Sequence, residues 1–391
     1  MNELYTVSRP HNDFLTFPLV RQLVAQLHED CEAYYLWTAD KTFDKFLTLA
    51  KFTKPLVIIA IKDIMVGAGD FDWWTQTQQQ GITALVATIE RHPDQHFVIF
   101  SSYESLEREL KHPRVTLIPF GGDIVNQHTA YADCEPVINK KLDGATHVMC
   151  LNRNRRDHRI VTLSYLYGLG IDRYIHKTFL YNRELAWNQT FLERISWQFS
   201  QHHNRQRHKI INGYKKFIND KTLLNKSGNI YPNADNDNRG NFERELTKLY
   251  QSHVVEIVNE TTCSPPAYML TEKTLHSYYG SVFPIFISGQ ASVAHQRELG
   301  FDVFDDVVDH SYDLIADPMD RVISAIDQNI KLLTDRQYAI EKWHQCRARF
   351  MANAAVAKGI YAWYEQRTKQ KWQYFCQNRL QESLGHCKLL L

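Results

Sequence analysis

Thr271, Glu272 and Lys273 stand in a row where a helical pattern begins, ahead of an apolar run from Phe283 to Ile287. Thr271 has the side chain of an N-cap, one that accepts from the free N–H groups of a first helical turn. Those N–H groups, together with the positive end of the helix dipole, suit an anionic ligand. A lysine in that turn is misplaced on dipole grounds alone. A phosphate lying between the dipole and the Lys273 ammonium removes the conflict, and Glu272 can then accept hydrogen bonds from a pair of sugar hydroxyls. The same three residues also read as a capped helix start with a solvated Glu–Lys pair.

Two further groups sit where such a ligand would need partners. The loop Asn152-Arg-Asn-Arg-Arg-Asp-His-Arg159 follows the apolar stretch THVMCL at 146–151 and leads into an apolar helical pattern around Ile160–Leu169. An arginine offers a planar fork of donors to two phosphate oxygens, and Arg153 and Arg156 are the candidates for that contact. The loop equally reads as a solvated basic surface or a nucleic-acid contact. Asn259-Glu260 closes another apolar run, Val254–Val258, and at the end of a parallel strand such a pair faces the ligand edge of the sheet. There Glu260 can bond to sugar hydroxyls or simply be solvated. Ser288-Gly289, after the next run, permits a close backbone approach or marks a turn.

In order, these pieces are HVVEIVNE (253–260), YMLTEK (268–273) and FPIFISG (283–289). The arrangement resembles the donor-binding motif of the alpha-fucosyltransferases, inverting sugar-nucleotide enzymes of the GT-B fold. This chain has one extra residue between Tyr268 and Thr271, and it inverts the family's acid–Asn order to Asn259-Glu260. The resemblance spans roughly forty residues on the donor side and does not extend to an acceptor site. It implies an α/β fold of GT-B type, with two Rossmann-like domains facing an interdomain cleft and closing C-terminal helices. It also implies Glu272 as ribose acceptor and Lys273 as phosphate cation, with a basic residue of the 152–159 loop assisting and a GDP-sugar as favoured donor. The segment LGFDVFDDVVDHSYD (299–313) resembles one in phage and giant-virus glycosyltransferase-like proteins, which raises a hydroxymethylated DNA base beside a glycan as acceptor.

An inverting transfer needs a carboxylate to take the acceptor hydroxyl's proton as it attacks the anomeric carbon. The first part of the chain offers acids just past apolar runs: Asp13, Asp63, Asp70, Asp72 and Asp123, with His11 another possible base. Asp72 and Asp13 are the candidates, and each also reads as structural. Lys273 and the arginine loop would stabilise the leaving diphosphate, so no metal or other cofactor is expected. Asp70-Phe-Asp72 is formally a D-x-D, a metal signature of the other glycosyltransferase architecture, and such a triplet arises easily by chance. The calcium-loop-like stretch at Asp235, Asp237 and Gly240 has Arg239 and Leu246 where oxygen ligands belong, and is read as no metal site.

The elements that must position these residues follow from periodicity. Short apolar runs at Leu4–Val7, Ala33–Trp37, Leu56–Ile61, Phe97–Phe100 and Val115–Pro119 alternate with helical spacing at Leu19–Leu27 and Thr83–Arg91, the signature of a parallel sheet. A second alternating unit takes in 146–151, Val254–Val258, Phe283–Ile287 and a short run at Asp302–Phe304. The expected domains are therefore 1–145 (acceptor), 146–335 (donor, with a polar insertion at 190–245) and 336–391, a helical segment packing back on the first. In that segment Trp343, Cys346, Phe350, Ala354, Ala357, Tyr361 and Tyr364 form one stripe.

Composition narrows the class. With 44% apolar and 23% charged residues the chain is globular, and a net charge of +1 gives no global pull toward nucleic acid or anionic membranes. Seven scattered cysteines without a C-x-x-C pair argue against a disulfide framework or a zinc site. No apolar stretch approaches the ~20 residues of a membrane span, and no signal peptide is evident, so a cytoplasmic location is expected. The N-x-S/T triplets at Asn188, Asn225 and Asn259 then read as chance matches. Phosphate-loop, H-E-x-x-H, G-x-S-x-G and strand-coupled G-x-G-x-x-G patterns are absent, which removes support from phosphoryl transfer, metalloproteolysis, serine hydrolysis and dinucleotide redox chemistry. The rival to a transferase is a non-catalytic sugar- or nucleic-acid-binding protein on a degenerate transferase scaffold.

Overall fold

A computed structural model describes residues 6–7, 20, 22–23, 31–36, 52–61, 82–101, 106, 110–120, 134–152, 156–179, 204–220, 223, 246–260, 263 and 270–380. Their fold is mixed α/β, with two sheets in which every strand pair is parallel. By contact density the chain forms two compact units. One contains the first sheet and the chain from Gly359 onward, and the other runs from Ala130 to Lys358.

In the first unit, β1 (Thr6–Val7), β2 (Cys31–Leu36), β3 (Leu56–Ile61), β4 (His96–Ser101) and β5 (Val115–Pro119) lie side by side in sequence order. The runs LVIIAI and HFVIFS are almost wholly apolar because a parallel sheet is covered on both faces. A helical segment over 82–91 connects β3 to β4, with Leu85 and Ile89 buried. Trp372, Phe375 and Leu380, from the far end of the chain, join Leu56, Ile58, Val98, Phe100 and Ile118 in one apolar cluster. Thr368 adds a hydrogen bond to the Pro119 carbonyl at 2.8 Å.

In the second unit, β6 (Val148–Cys150), β7 (Ile175–Lys177), β8 (Val255–Asn259) and β9 (Phe283–Ile287) pair in the order β7-β6-β8-β9. From β6 the chain steps to one side to form β7, then crosses to the other side for β8. That reversal opens a crevice at the carboxyl ends of β6 and β8, where ligands bind in open parallel sheets. The helices used below are α1 (Asp157–Leu169), α2 (Asn204–Ile218), α3 (Glu272–Tyr279), α4 (Ser292–Glu298), α5 (Pro318–Gln328), α6 (Arg336–Gln345) and α7 (Arg347–Asn378). No helix among the described residues is long and apolar enough to cross a membrane.

Besides β7, which no apolar run in the sequence marks, three features differ from the sequence expectation. The polar stretch 190–245 contains α2, whose Ile210, Tyr214 and Phe217 are buried while its other side is polar. α2 crosses α1 with the backbones in contact, since a Cβ on Gly213 would overlap the Ser164 carbonyl and one on Gly168 would overlap that of Lys209. Asp302–Phe304 is no strand. Phe304 has φ 62°, and Asn353 brackets Asp302, accepting from its N–H at 2.8 Å and donating to its carbonyl at 2.7 Å. Finally, the helical segment expected over 336–391 breaks at Cys346, between α6 and α7.

Candidate functional site

The last turn of β8 and the first turn of α3 are locked together by one carboxylate. Glu260, 1% exposed, directly follows β8. Its Oε2 accepts from the Thr271 hydroxyl at 2.5 Å, and its Oε1 from the Thr274 hydroxyl at 2.5 Å and the Thr271 N–H at 3.4 Å. Thr271 in turn caps α3, its Oγ1 accepting from the Lys273 N–H at 3.3 Å. The sequence VNE…TEKT therefore folds as a closed circuit, with two threonines one helical turn apart reaching the same buried acid.

α1 is tied to the same strand end from the other side. His158 Nε2 donates to the Glu260 carbonyl at 2.9 Å, and the Arg159 guanidinium donates to the carbonyls of Asn259 and Glu260 at 3.3 and 3.2 Å. Thr162 donates to Asn259 Oδ1 at 3.1 Å. Beneath them, the side-chain amides of Asn152 and Asn259 both donate to Cys150 Sγ at 3.3 Å. Buried polar side chains thus join the ends of β6 and β8 to the first turns of α1.

On this frame the charged groups are arranged for an anion. Lys273 Nζ lies 2.6 Å from Glu272 Oε1 and 3.2 Å from Thr271 Oγ1. The two side chains keep 24% and 26% of their area exposed, so both remain open to solvent. Burial pushes the Glu272 carboxyl up, but the Lys273 charge and hydrogen bond, with His276 behind them, override it and bring it to about 2. Glu272 is therefore a permanently ionised acceptor at neutral pH, suited to hydroxyl donors and not to carrying a proton. Burial also brings His276 down to about 4 and holds His158, beside Arg159, well below its ordinary value, so both rings are neutral. Arg159 falls to about 10, through burial first and the neighbouring Arg156 second, while Glu272 and Glu260 oppose the shift. It stays charged at neutral pH.

α1, α3 and α4, which follow β6, β8 and β9, differ in how their first turns begin. α4 is closed from within, with Asp313 accepting from the N–H groups of Val293 and Ala294 at 3.0 Å each. α3 is capped by Thr271. α1 has the extended residue Arg156 at its N-cap, and that residue's own side chain makes no cap hydrogen bond. Its dipole, Arg156 and Lys273 together make the positive corner of the crevice.

Of the residues expected from the sequence, Arg156, Asn259, Glu260, Thr271, Glu272 and Lys273 are gathered at this corner. Arg153, Asp13 and Asp72 lie outside the described residues, as do Tyr268 and the Asp70–Asp72 triplet. His158 and Arg159, which the sequence places at the end of the basic loop 152–159 without a role of their own, do most of the joining. Both lie in the first turn of α1, which begins at Asp157, inside the stretch expected to be loop. Sequence reasoning passed over Asp313, which lies far along the chain from the turn it closes. Comparison with protein-family models, with curated proteins and with solved structures gives no match for this chain.

Proposed function

We propose that this chain is an inverting glycosyltransferase of GT-B architecture that moves a sugar from a nucleoside-diphosphate sugar, a GDP-sugar favoured, to a hydroxyl of a glycan or of a hydroxymethylated DNA base. The observation that carries the reading is the corner formed by Arg156, Glu272 and Lys273 at the carboxyl edge of β6 and β8. There an ionised acceptor and a cation stand side by side near the start of α1, whose N-cap is Arg156. A diphosphate suits the Lys273 ammonium, the Arg156 fork and the α1 dipole, and a ribose diol suits Glu272.

In the transfer, the acceptor oxygen forms its bond to the anomeric carbon as the bond from that carbon to the diphosphate oxygen breaks. The acceptor's proton passes to a carboxylate base, for which Asp72 and Asp13 are the candidates. The electron pair leaves with the nucleoside diphosphate, whose growing charge Lys273 and Arg156 offset. Glu260 has both oxygens engaged by threonines, so its part is to position Thr271 and Lys273 rather than to touch the sugar.

The reading is tested by incubating the protein with a panel of sugar nucleotides and measuring release of free nucleoside diphosphate. Turnover of one donor, lost in Lys273→Ala and Glu272→Ala while both variants stay folded, is the expected result. Nucleotide binding without turnover of any donor in the presence of glycan or hydroxymethylated DNA favours a non-catalytic binding protein. Absence of both binding and turnover overturns the reading.

A further inference from the structure

We infer that the exposed face of α2 is a binding surface for the phosphodiester backbone of a nucleic acid. α2 carries five Lys or Arg residues (Arg205, Arg207, Lys209, Lys215, Lys216) and no Asp or Glu, in a chain whose total net charge is only +1. From Gln206 to Asn219, just past its end, the exposed residues are His208, Lys209, Asn212, Lys215, Lys216 and Asn219, a spacing that places them along one side of the helix. The carboxylate that follows, Asp220, accepts from the Tyr167 hydroxyl and the Leu223 N–H and is outnumbered by the cations of the helix.

The opposite side of α2 decides what the partner is. An amphipathic helix that binds a membrane inserts its apolar face into lipid. Here that face is already used, since Ile210, Tyr214 and Phe217 belong to the core that α1 shares and Gly213 sits against the Ser164 carbonyl. What remains outside is cationic and amide-bearing, with no large apolar side chain among the exposed residues. Such a face suits a hydrated polyanion with regularly spaced charges, which is what a nucleic-acid backbone presents.

The orientation links this surface to the crevice. Gly168 of α1 meets Lys209 and Ser164 meets Gly213, so the two helices run antiparallel. Lys215 and Lys216 therefore lie toward the half of α1 that begins at Arg156. A strand laid along α2 is led toward the carboxyl edge of the sheet. The backbone-to-backbone crossing of α1 and α2 makes this a fixed surface rather than a swinging basic arm. The inference stands apart from the sugar-transfer reading, because phosphate contacts on α2 require neither a donor nor a reaction.

The test is fluorescence anisotropy of a labelled DNA duplex with the full chain over a series of salt concentrations, for the wild type and for a Lys209→Glu, Lys215→Glu, Lys216→Glu triple variant. The wild type is expected to bind with a steep negative dependence of log affinity on log salt. The triple variant is expected to bind at least about tenfold more weakly, with a slope shallower by roughly one for each lysine lost. The corresponding triple Lys→Arg variant should keep both affinity and slope. A triple Lys→Gln variant provides the same comparison should charge reversal disturb folding. Donor hydrolysis, measured alongside, should not change in any of them. Failure of the wild type to bind DNA at low salt overturns the inference. An unchanged slope in the Glu and Gln variants does so too, as does binding to phosphatidylserine vesicles in preference to the duplex.

Discussion

The Thr271 hydroxyl donates to Glu260 Oε2 at 2.5 Å while its oxygen accepts from the Lys273 N–H, so one side chain joins the end of β8 to the first turn of α3. Removing the acid leaves two threonine hydroxyls and an amide N–H buried without their acceptor. Glu260→Ala is expected to cost about 3 kcal/mol and to lower the thermal midpoint of the second unit. If Glu260 works by position, a variant kept folded at low temperature should lose nucleotide affinity as well. Thr274→Val, which removes only one donor, should cost about 1 kcal/mol and leave affinity nearly intact. Equal losses of affinity in the two variants would contradict the positioning role.

Backbone contact between α1 and α2 gives a sharper stability test. A methyl group at Gly213 has no room beside the Ser164 carbonyl and the Gly168 N–H, so Gly213→Ala must push the helices apart. We expect a loss on the order of 3 kcal/mol or more by chemical denaturation. Gly359, inside α7, is the opposite case, because a methyl group added there would meet nothing within 4 Å. At that position alanine should stabilise the helix by about 0.5–1 kcal/mol.

Much of this frame was legible before the structure. β3, β5 and β9 fall on the apolar runs at Leu56–Ile61, Val115–Pro119 and Phe283–Ile287, because strands covered on both faces need nearly unbroken apolar sequence. β7 was missed, since Ile-His-Lys at a sheet edge carries too few apolar residues to register as a run. α2 was missed for a related reason. Its buried stripe is narrow, and the five cations on its other faces dominate any reading of local polarity. At the site, Thr271, Glu272 and Lys273 were readable because capping is a local code. The bonds from His158 and Arg159 to the end of β8 join residues about a hundred positions apart, and no local pattern announces them.

Acid should destabilise the fold in a defined window. Burial, with His176 and Lys140 nearby, brings His253 down to about 4, and burial brings His276 to about 4 as well. Unfolded histidine titrates near 6.5, so between that value and 4 the unfolded chain binds more protons than the folded one. The histidine contribution is complete above about pH 6.5 and is lost progressively as pH falls toward 4. Urea unfolding at a series of pH values should show this slope, reduced in His253→Gln. A slope that is the same in the variant would mean that His253 is not among the groups responsible.

Glu256 works in the opposite direction. It is buried within β8, where burial raises its carboxyl to about 8 despite the hydrogen bond from the Tyr250 hydroxyl at 2.9 Å and the charge of Lys140. With a folded value above the unfolded one, its contribution is complete below about pH 4.5 and is lost as pH rises through 8. Glu256→Gln keeps an acceptor for Tyr250 and removes the titration. Between about pH 6.5, above which the histidine contribution is complete, and pH 8 the wild type should therefore lose stability while Glu256→Gln stays nearly flat, an outcome that denaturant midpoints at matched ionic strength would reveal. Parallel curves for the two proteins would place the alkaline loss elsewhere, with Lys140, whose ammonium donates to the Tyr250 and Gly280 carbonyls at 2.6 Å each, the next group to replace.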